Sequence, residues 1–294
     1  MTFRRNKMLV VVIISGLLFL ISGFYLLFGI NGIIFSRMVN REVDDLFNVC
    51  AGEREDFDLE KLTADLPEPV RKYLRMATNG IDYKAKSARM THGGEFRLSP
   101  DQPWLKIKGE EYFTVCKPGF IWHARLKMLP MVWVEARDKF HNGRGSMYIK
   151  LQSTFTVADS KGPEMDLSSY LRWAAEIPWF PQGFLADDYV TWIPVDKRQA
   201  KARFEYDSLK GECLFSFDDE GRIIEMQSDD RFREVEGKQV KTRWKGYYSE
   251  YREMGGFTIP SCCEVVWVID GEEFCYARFR IDKMEYSYTG VFSD

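Results

Sequence analysis

Leu105-Lys106-Ile107-Lys108-Gly109-Glu110-Glu111-Tyr112-Phe113-Thr114-Val115 changes character at every residue. Leu105, Ile107, Gly109, Phe113 and Val115 share one parity, with Glu111 among them. Lys106, Lys108, Glu110, Tyr112 and Thr114 occupy the other. A period of two marks a β-strand with one buried face. The same period governs the neighbouring stretches. Phe120, Trp122, Ala124, Leu126 and Met128 alternate with His123, Arg125 and Lys127. Val132, Val134 and Ala136 lead to a turn at Asn142-Gly143-Arg144-Gly145, and Met147, Ile149, Leu151, Phe155 and Val157 continue beyond it. These are half-buried antiparallel strands joined by hairpins.

Further out, strands are expected over 200–206, 213–217 and 222–228, and a last hairpin turns at Asp270-Gly271. Two stretches break the pattern. Leu66-Pro67-Glu68-Pro69 opens a helix whose Val70, Tyr73, Leu74 and Ala77 form a stripe, and Asp166 can cap a second one with Leu167, Tyr170, Leu171 and Ala174 inward. The total is about ten strands with one or two packed helices. The expected fold is mainly β (α+β): a large curved antiparallel sheet or half-barrel whose hollow the inserted helix fills. A closed barrel or a sandwich would write nearly the same pattern.

The N-terminus reads differently. From Met8 to Phe35 there is no charged residue. As a helix this run is roughly 42 Å long, more than the ~30 Å of a bilayer core. It lacks the short apolar region and small-residue cleavage site of a signal peptide, so it reads as an uncleaved transmembrane anchor. Arg4, Arg5 and Lys7 precede it, whereas Arg37 and Arg41 after it mix with Glu42, Asp44 and Asp45. The positive-inside bias puts the N-terminus in the cytoplasm and the rest outside. The expected organisation is a cytoplasmic tip and anchor (1–36), a juxtamembrane helix and linker (37–65), and an extracytoplasmic β-rich domain (66–294).

Of 41 basic residues, 38 lie beyond Lys7 and face 44 acidic ones, a balance of −6 that excludes a nucleic-acid footprint. Cys50, Cys116, Cys213, Cys262, Cys263 and Cys275 are even in number but lie far apart or, at 262 and 263, side by side. None has C-x-x-C spacing, so buried thiols are favoured over disulfides. His92, His123 and His141 are the only histidines and form no metal-binding spacing. No nucleophile elbow is present. Gly143-Arg144-Gly145 lies between two strands and so reads as hairpin chemistry, not a phosphate cradle. No metal and no cofactor is expected.

One stretch stands apart: Leu171-Arg172-Trp173-Ala174-Ala175-Glu176-Ile177-Pro178-Trp179-Phe180-Pro181. Arg172 and Glu176 are one helical turn apart, just ahead of two prolines and two tryptophans. The plain reading is a surface ion pair with aromatic packing. The functional one is a carboxylate beside an aromatic wall, with Asp138, Asp230, Arg231 and Glu264 as charges that could converge on it. Arg172, Glu176, Trp179, Trp122 and Arg231 are the ligand-binding candidates.

Leu66 to Leu74, Gly94-Glu95-Phe96-Arg97, Pro118 to Ala124, Gly143-x-Gly145-x-Met147, Leu171 to Pro181, Asp230-Arg231 and Ile259-Pro260 resemble successive motifs of a bacterial family classed as a domain of unknown function. The likeness runs from about Leu66 to Tyr288 and implies no activity. In outline the architecture is similar to lipoprotein-carrier folds, in which a curved sheet wraps helices and an apolar hollow. Three functions remain. The first is binding of a lipid-like or other hydrophobic ligand in the envelope, and the second is an interaction or structural module for another envelope protein. A carboxylate-dependent enzyme comes third, because no catalytic constellation emerges. Aromatic residues on both parities of one strand, as in Phe120-Ile121-Trp122, predict sheet area that is apolar on both faces and needs a cover.

Overall fold

The computed structural model describes residues 2–50, 55–115 and 117–292, with side chains from Val11 onward. Cys116 and residues 51–54 of the expected linker lie outside the described residues. The first element, α1 (Thr2–Phe47), runs without interruption from the charge-free segment into the expected juxtamembrane helix. It is long and apolar enough to cross a membrane. Two short helices come next, α2 (Leu59–Thr63) and α3 (Glu68–Ala77). The expected α3 stripe of Val70, Tyr73, Leu74 and Ala77 is fully buried.

Six strands then meander: β1–β6 at Ser87–Phe96, Leu105–Thr114, Gly119–Leu129, Val132–His141, Arg144–Leu151 and Phe155–Lys161. Helix α4 (Pro163–Glu176) and two 3₁₀ turns (Ile177–Trp179 and Pro181–Leu185) come next. Strands β7–β10 lie at Val190–Pro194, Gln199–Tyr206, Leu209–Phe217 and Ile223–Ser228. A small hairpin of β11 (Phe232–Val235) and β12 (Lys238–Lys241) precedes β13–β15 at Trp244–Met254, Phe257–Ile269 and Glu272–Tyr286. Thirteen of the strands make one sheet in the order β6-β5-β4-β3-β2-β1-β15-β14-β13-β10-β9-β8-β7, with β6 and β7 as its edges. The sheet is therefore open, which removes the closed-barrel alternative. More strands form than the expected ten or so: β7, the β11–β12 pair and β13 lie outside the stretches with a clear period of two.

The chain of antiparallel pairings twists steadily, and register shifts at Thr91/His92 and Val265/Val266 add bends near its middle. The two arms thereby wrap α4, which lies against β4, β5 and β6 on one side and β9 on the other. Its closest approaches fall on two glycines. A Cβ at Gly145 of β5 would sit 2.5 Å from the Met165 carbonyl, and one at Gly211 of β9 would sit 2.7 Å from the Leu171 side chain. Any larger residue would push the helix off one arm. Aromatic rings fill the remaining space: Tyr170 stacks on Phe140 at 5.4 Å, and Trp173 meets Phe204 edge-on. Asp166 is not the cap of α4, which starts at Pro163 after Gly162. Its carboxylate instead accepts the Gly145 amide at 2.7 Å and Arg144 at 2.9 Å, tying the helix to the β4–β5 turn.

The C-terminal part of α1 lies on the opposite, convex face. Phe35, Val39, Val43, Leu46 and Phe47 pack there with Tyr112 and Ile121. This is the cover that Phe120-Ile121-Trp122 required: Phe120 and Trp122 face α4, and Ile121 faces α1.

Candidate functional site

The inward faces of three neighbouring strands carry a row of side chains fixed by register. Glu111 of β2 pairs with Trp122 of β3, which pairs in turn with Asp138 of β4. Arg172 descends from α4 onto this row. Its Nη2 donates to Glu111 at 2.8 Å, its Nη1 to Asp138 at 2.8 Å, and its Nε to Glu176 one turn along at 2.7 Å. The guanidinium carbon lies 4.9 Å from the ring centres of both Phe120 and Trp122. A guanidinium carries five N–H donors in a rigid planar fork, so one arginine holds three carboxyls in fixed directions.

The whole group is inside the protein. The Arg172 side chain is 12% exposed, Glu111 and Asp138 2%, and Glu176 9%. The surface ion pair expected as the plain reading of Arg172 and Glu176 is thus corrected: the pair exists at helical spacing, but it is buried and shared with two strand carboxylates. Burial pushes Glu111 well above the ordinary carboxylate range, with Arg172 pulling the other way and Glu176 and Asp138 adding to the rise. Burial also raises Glu176, again against Arg172.

Arg231, just before β11, is the second cation. Its guanidinium lies 3.8 Å from the Trp244 ring centre and 5.7 Å from that of Trp267. Burial pushes it below its usual value, and the charges of Arg172, Asp138 and Glu176 all reach it. His92 completes the floor. The Trp122 indole N–H donates to His92 Nε2 at 2.8 Å, so that nitrogen is unprotonated; burial and then the Arg172 charge push the imidazole down to about 4.

Several polar atoms here lack a hydrogen-bond partner among the described residues: Asp138 Oδ1, Glu176 Oε2, Arg231 Nε and Nη1, and Trp179 Nε1. The main chain beside them is well served. The carbonyls that end α4 and its first 3₁₀ turn accept from tyrosines: Tyr248 to Ala175 at 2.5 Å, Tyr73 to Pro178 at 3.1 Å and Tyr286 to Trp179 at 2.7 Å. The last carbonyls of a helix need donors, and here three other elements supply them.

The sequence candidates Arg172, Glu176 and Trp122 thus meet directly, and Arg231 joins them electrostatically. Trp179 sits buried at the helix end, one 3₁₀ turn beyond Glu176. Of the other charges considered, Asp138 arrives, whereas Asp230 bonds Lys241 and the Glu212 amide, and Glu264 pairs with Arg278 at the surface. Glu111 is the member that sequence reasoning misses. Its signal is that of a lone charge on the apolar parity of Leu105 to Val115. The centre of the carboxylates is occupied by the Arg172 guanidinium, so a metal has no place there. A separate half-open cavity of about 460 Å³ lies elsewhere, lined by Val49, Phe57, Lys84, Lys86, Val115 and Gln182 among others. Of the cysteines, Cys213 and Cys263 are buried thiols, and Cys262 and Cys275 are half-buried ones.

These features define a class: a β protein with a long apolar N-terminal helix and an open curved sheet closed around a helix that carries a buried charge cluster. The chain belongs to the family of unknown function DUF6544, whose pattern matches residues 57–279. No curated protein matches it. Among solved structures it is similar to a DUF1329 family protein from Desulfovibrio piger, at 10% identity and a TM-score of 0.41, over 74% of this chain and 91% of that one. A β-barrel-like DUF1849 protein from Brucella abortus matches at 8% identity and 0.23, over 69% and 98% of the two chains. A porin-like protein from Bacteroides uniformis matches at 8% and 0.24, over 69% and 95%.

Proposed function

We propose that this chain is a membrane-anchored binding module of the cell envelope, with its N-terminus cytoplasmic and its sheet outside. Its ligand is amphiphilic and lipid-like, and its polar end is held by Arg172, Glu176 and Arg231. The observation that carries this reading is the set of polar atoms without partners at Asp138, Glu176, Arg231 and Trp179. A purely structural ion network is expected to be saturated, because each orphaned buried atom costs about 1–3 kcal/mol. A few convergent polar groups framed by aromatic walls are what small-molecule sites use for orientation. Here the frame is Phe120, Trp122, Trp244 and Trp267. The site is closed, so loading requires its wall to open.

The test uses the full chain from native membranes, as wild type and as Arg231→Met. Native mass spectrometry reads co-purified ligand, and thermal melting is followed with added palmitate or phosphatidylglycerol. An adduct and a raised melting temperature in the wild type, both lost in the variant, are expected. No adduct and no shift in either protein overturns the proposal. Proteolysis of spheroplasts tests the orientation: the C-terminal domain should be cleaved without lysis.

A second reading, an interaction or structural module, draws support from the filling of the hollow. Tyr170, Trp173, Phe180 and Phe184 are all buried there to 1% exposure or less. It becomes the leading reading if the ligand test fails.

A further inference from the structure

The charge-free run of α1 does not stop where the sheet begins. Phe28 meets Phe155 with ring centres 6.4 Å apart, and Asn31 Nδ2 donates to Thr154 Oγ1 at 3.0 Å. A Cβ on Gly32 would touch Ser153. The last turns of the apolar segment are therefore level with the β5–β6 turn. That turn is bonded to the β3–β4 turn, since the Gln152 amide N–H donates to the Trp133 carbonyl at 2.9 Å and its side chain to the Met131 carbonyl at 2.9 Å.

Both turns present apolar side chains to the outside. Leu129, Met131, Phe155 and Val157 are each more than half exposed, and Met128 nearly so. On α1, Ile30, Ile33 and Ile34 are similarly exposed at the same height. Single exposed apolar residues are ordinary, but a contiguous group on two tied turns beside an apolar helix is not. Charge returns just above: Arg125 and Lys127 precede Met128 along β3, and the Arg125 guanidinium lies 5.1 Å from the Trp133 ring centre. An apolar tip below a tryptophan and basic side chains is the layering of a membrane interface.

Helix length agrees with this placement. Met8 to Phe28 alone measures about 31 Å, which matches the ~30 Å hydrocarbon core. The outer boundary of that core then falls at the Phe155 level.

We propose that the β3–β4 and β5–β6 turns are inserted in the bilayer that α1 crosses, so that the sheet is seated on the lipid with its strands standing up from it. The occupant of this apolar surface is phospholipid. The proposal rests on α1 being a membrane span, as in the function proposed above, but not on any bound ligand.

The experiment reconstitutes the full chain in phosphatidylcholine–phosphatidylglycerol vesicles. An environment-sensitive fluorophore is placed in turn on Leu129→Cys, Phe155→Cys, Leu20→Cys within α1, and Lys238→Cys on the exposed β11–β12 hairpin. Labelling of the unsubstituted chain is subtracted as background. Nitroxide lipids carrying the quencher near the headgroup should quench the Leu129 and Phe155 labels, aqueous iodide should spare them, and Lys238 should show the reverse. For Leu20, near the middle of the span, the nitroxide is carried deep on the acyl chain. Quenching there with iodide-accessible labels at 129 and 155 overturns the insertion while leaving the span intact. No quenching of Leu20 by the deep nitroxide, with iodide reaching it, overturns the span and the insertion together.

Discussion

The two faces of the same strands bury carboxylates with opposite consequences. On the concave side Glu111 is 2% exposed, and its carboxyl is pushed well above the ordinary range. On the convex side Glu135 is fully buried, yet it is held below that range. Burial works upward in both. The difference is in the partners. Glu135 has His123 at 3.0 Å, Arg125 at 3.1 Å and the Ser153 hydroxyl, three donors for one carboxylate. Glu111 shares a single guanidinium with Asp138 and Glu176. A buried acid is therefore read by counting its donors against the acids that compete for them.

Removing the shared cation should have the largest effect. Arg172→Met leaves three buried carboxyls without their common partner and is expected to cost about 3–5 kcal/mol in urea unfolding of the detergent-solubilised chain. A loss below about 1 kcal/mol, the size expected of an exposed pair, would mean the cluster is hydrated and the contrast between the faces is false.

The next effect is one of pH. His92 is neutral in the fold and its imidazole is pushed down to about 4, so the unfolded chain takes up a proton first as pH falls. Stability is then full above about 6.5 and is lost from there down towards about 4, at roughly 1.4 kcal/mol per pH unit. His92→Gln should flatten this arm of a melting-temperature profile. His141 is also pushed down, chiefly by burial, so His141→Gln is the comparison that separates the two. An unchanged slope in the His92 variant would place the acid sensitivity elsewhere.

A smaller contrast sets the two glutamates against each other. Glu135→Gln loses charged hydrogen bonds and should cost about 2 kcal/mol near neutral pH. Glu111→Gln mimics the protonated form and should cost less than about 1 kcal/mol or even stabilise. Their pH trends have opposite signs. The depressed Glu135 adds stability that is present above its unfolded value and disappears on acidification. The raised Glu111 adds stability that is present at low pH and disappears as pH rises past its unfolded value. Denaturant midpoints at several pH values measure both, and parallel curves for the two variants would remove the distinction.

The smallest effect tests redundancy. Arg125 is half exposed and only one of three donors to Glu135, so Arg125→Met should cost under about 1 kcal/mol. A loss matching that of Arg172→Met would show that the outer cluster depends on one cation as the inner one does.

Much of this is legible in the chain. The alternation at Leu105 to Val115 and again at Phe120 to Met128 reports the strands because each inward side chain meets α4 or its neighbours. The stripe at Val70, Tyr73, Leu74 and Ala77 reports α3 for the same reason. Arg172, Glu176, Trp122 and Arg231 stand out by residue type and spacing. Strand β13 is harder to see, since only Trp244, Gly246 and Tyr248 of its eleven residues are buried and the rest are polar or half-exposed. Glu111 is hidden by the expectation that a charge within a strand faces water.

The sequence by itself determined the period of the strands, the apolar helix before them and the break that sets α4 among them, because these depend on neighbours within a few residues. Only the tertiary structure decided which face each charge occupies and what it meets there. Glu111, Trp122, Asp138 and Arg172 are spread over about sixty residues, and cross-strand register together with the approach of α4 at Gly145 and Gly211 brings them within hydrogen-bonding and ring-contact distance. The same holds for α1. Its apolar run announces a helix long enough for a bilayer, but its docking on the convex face depends on residues such as Ile121 and Tyr112 pointing to the side that α4 leaves bare.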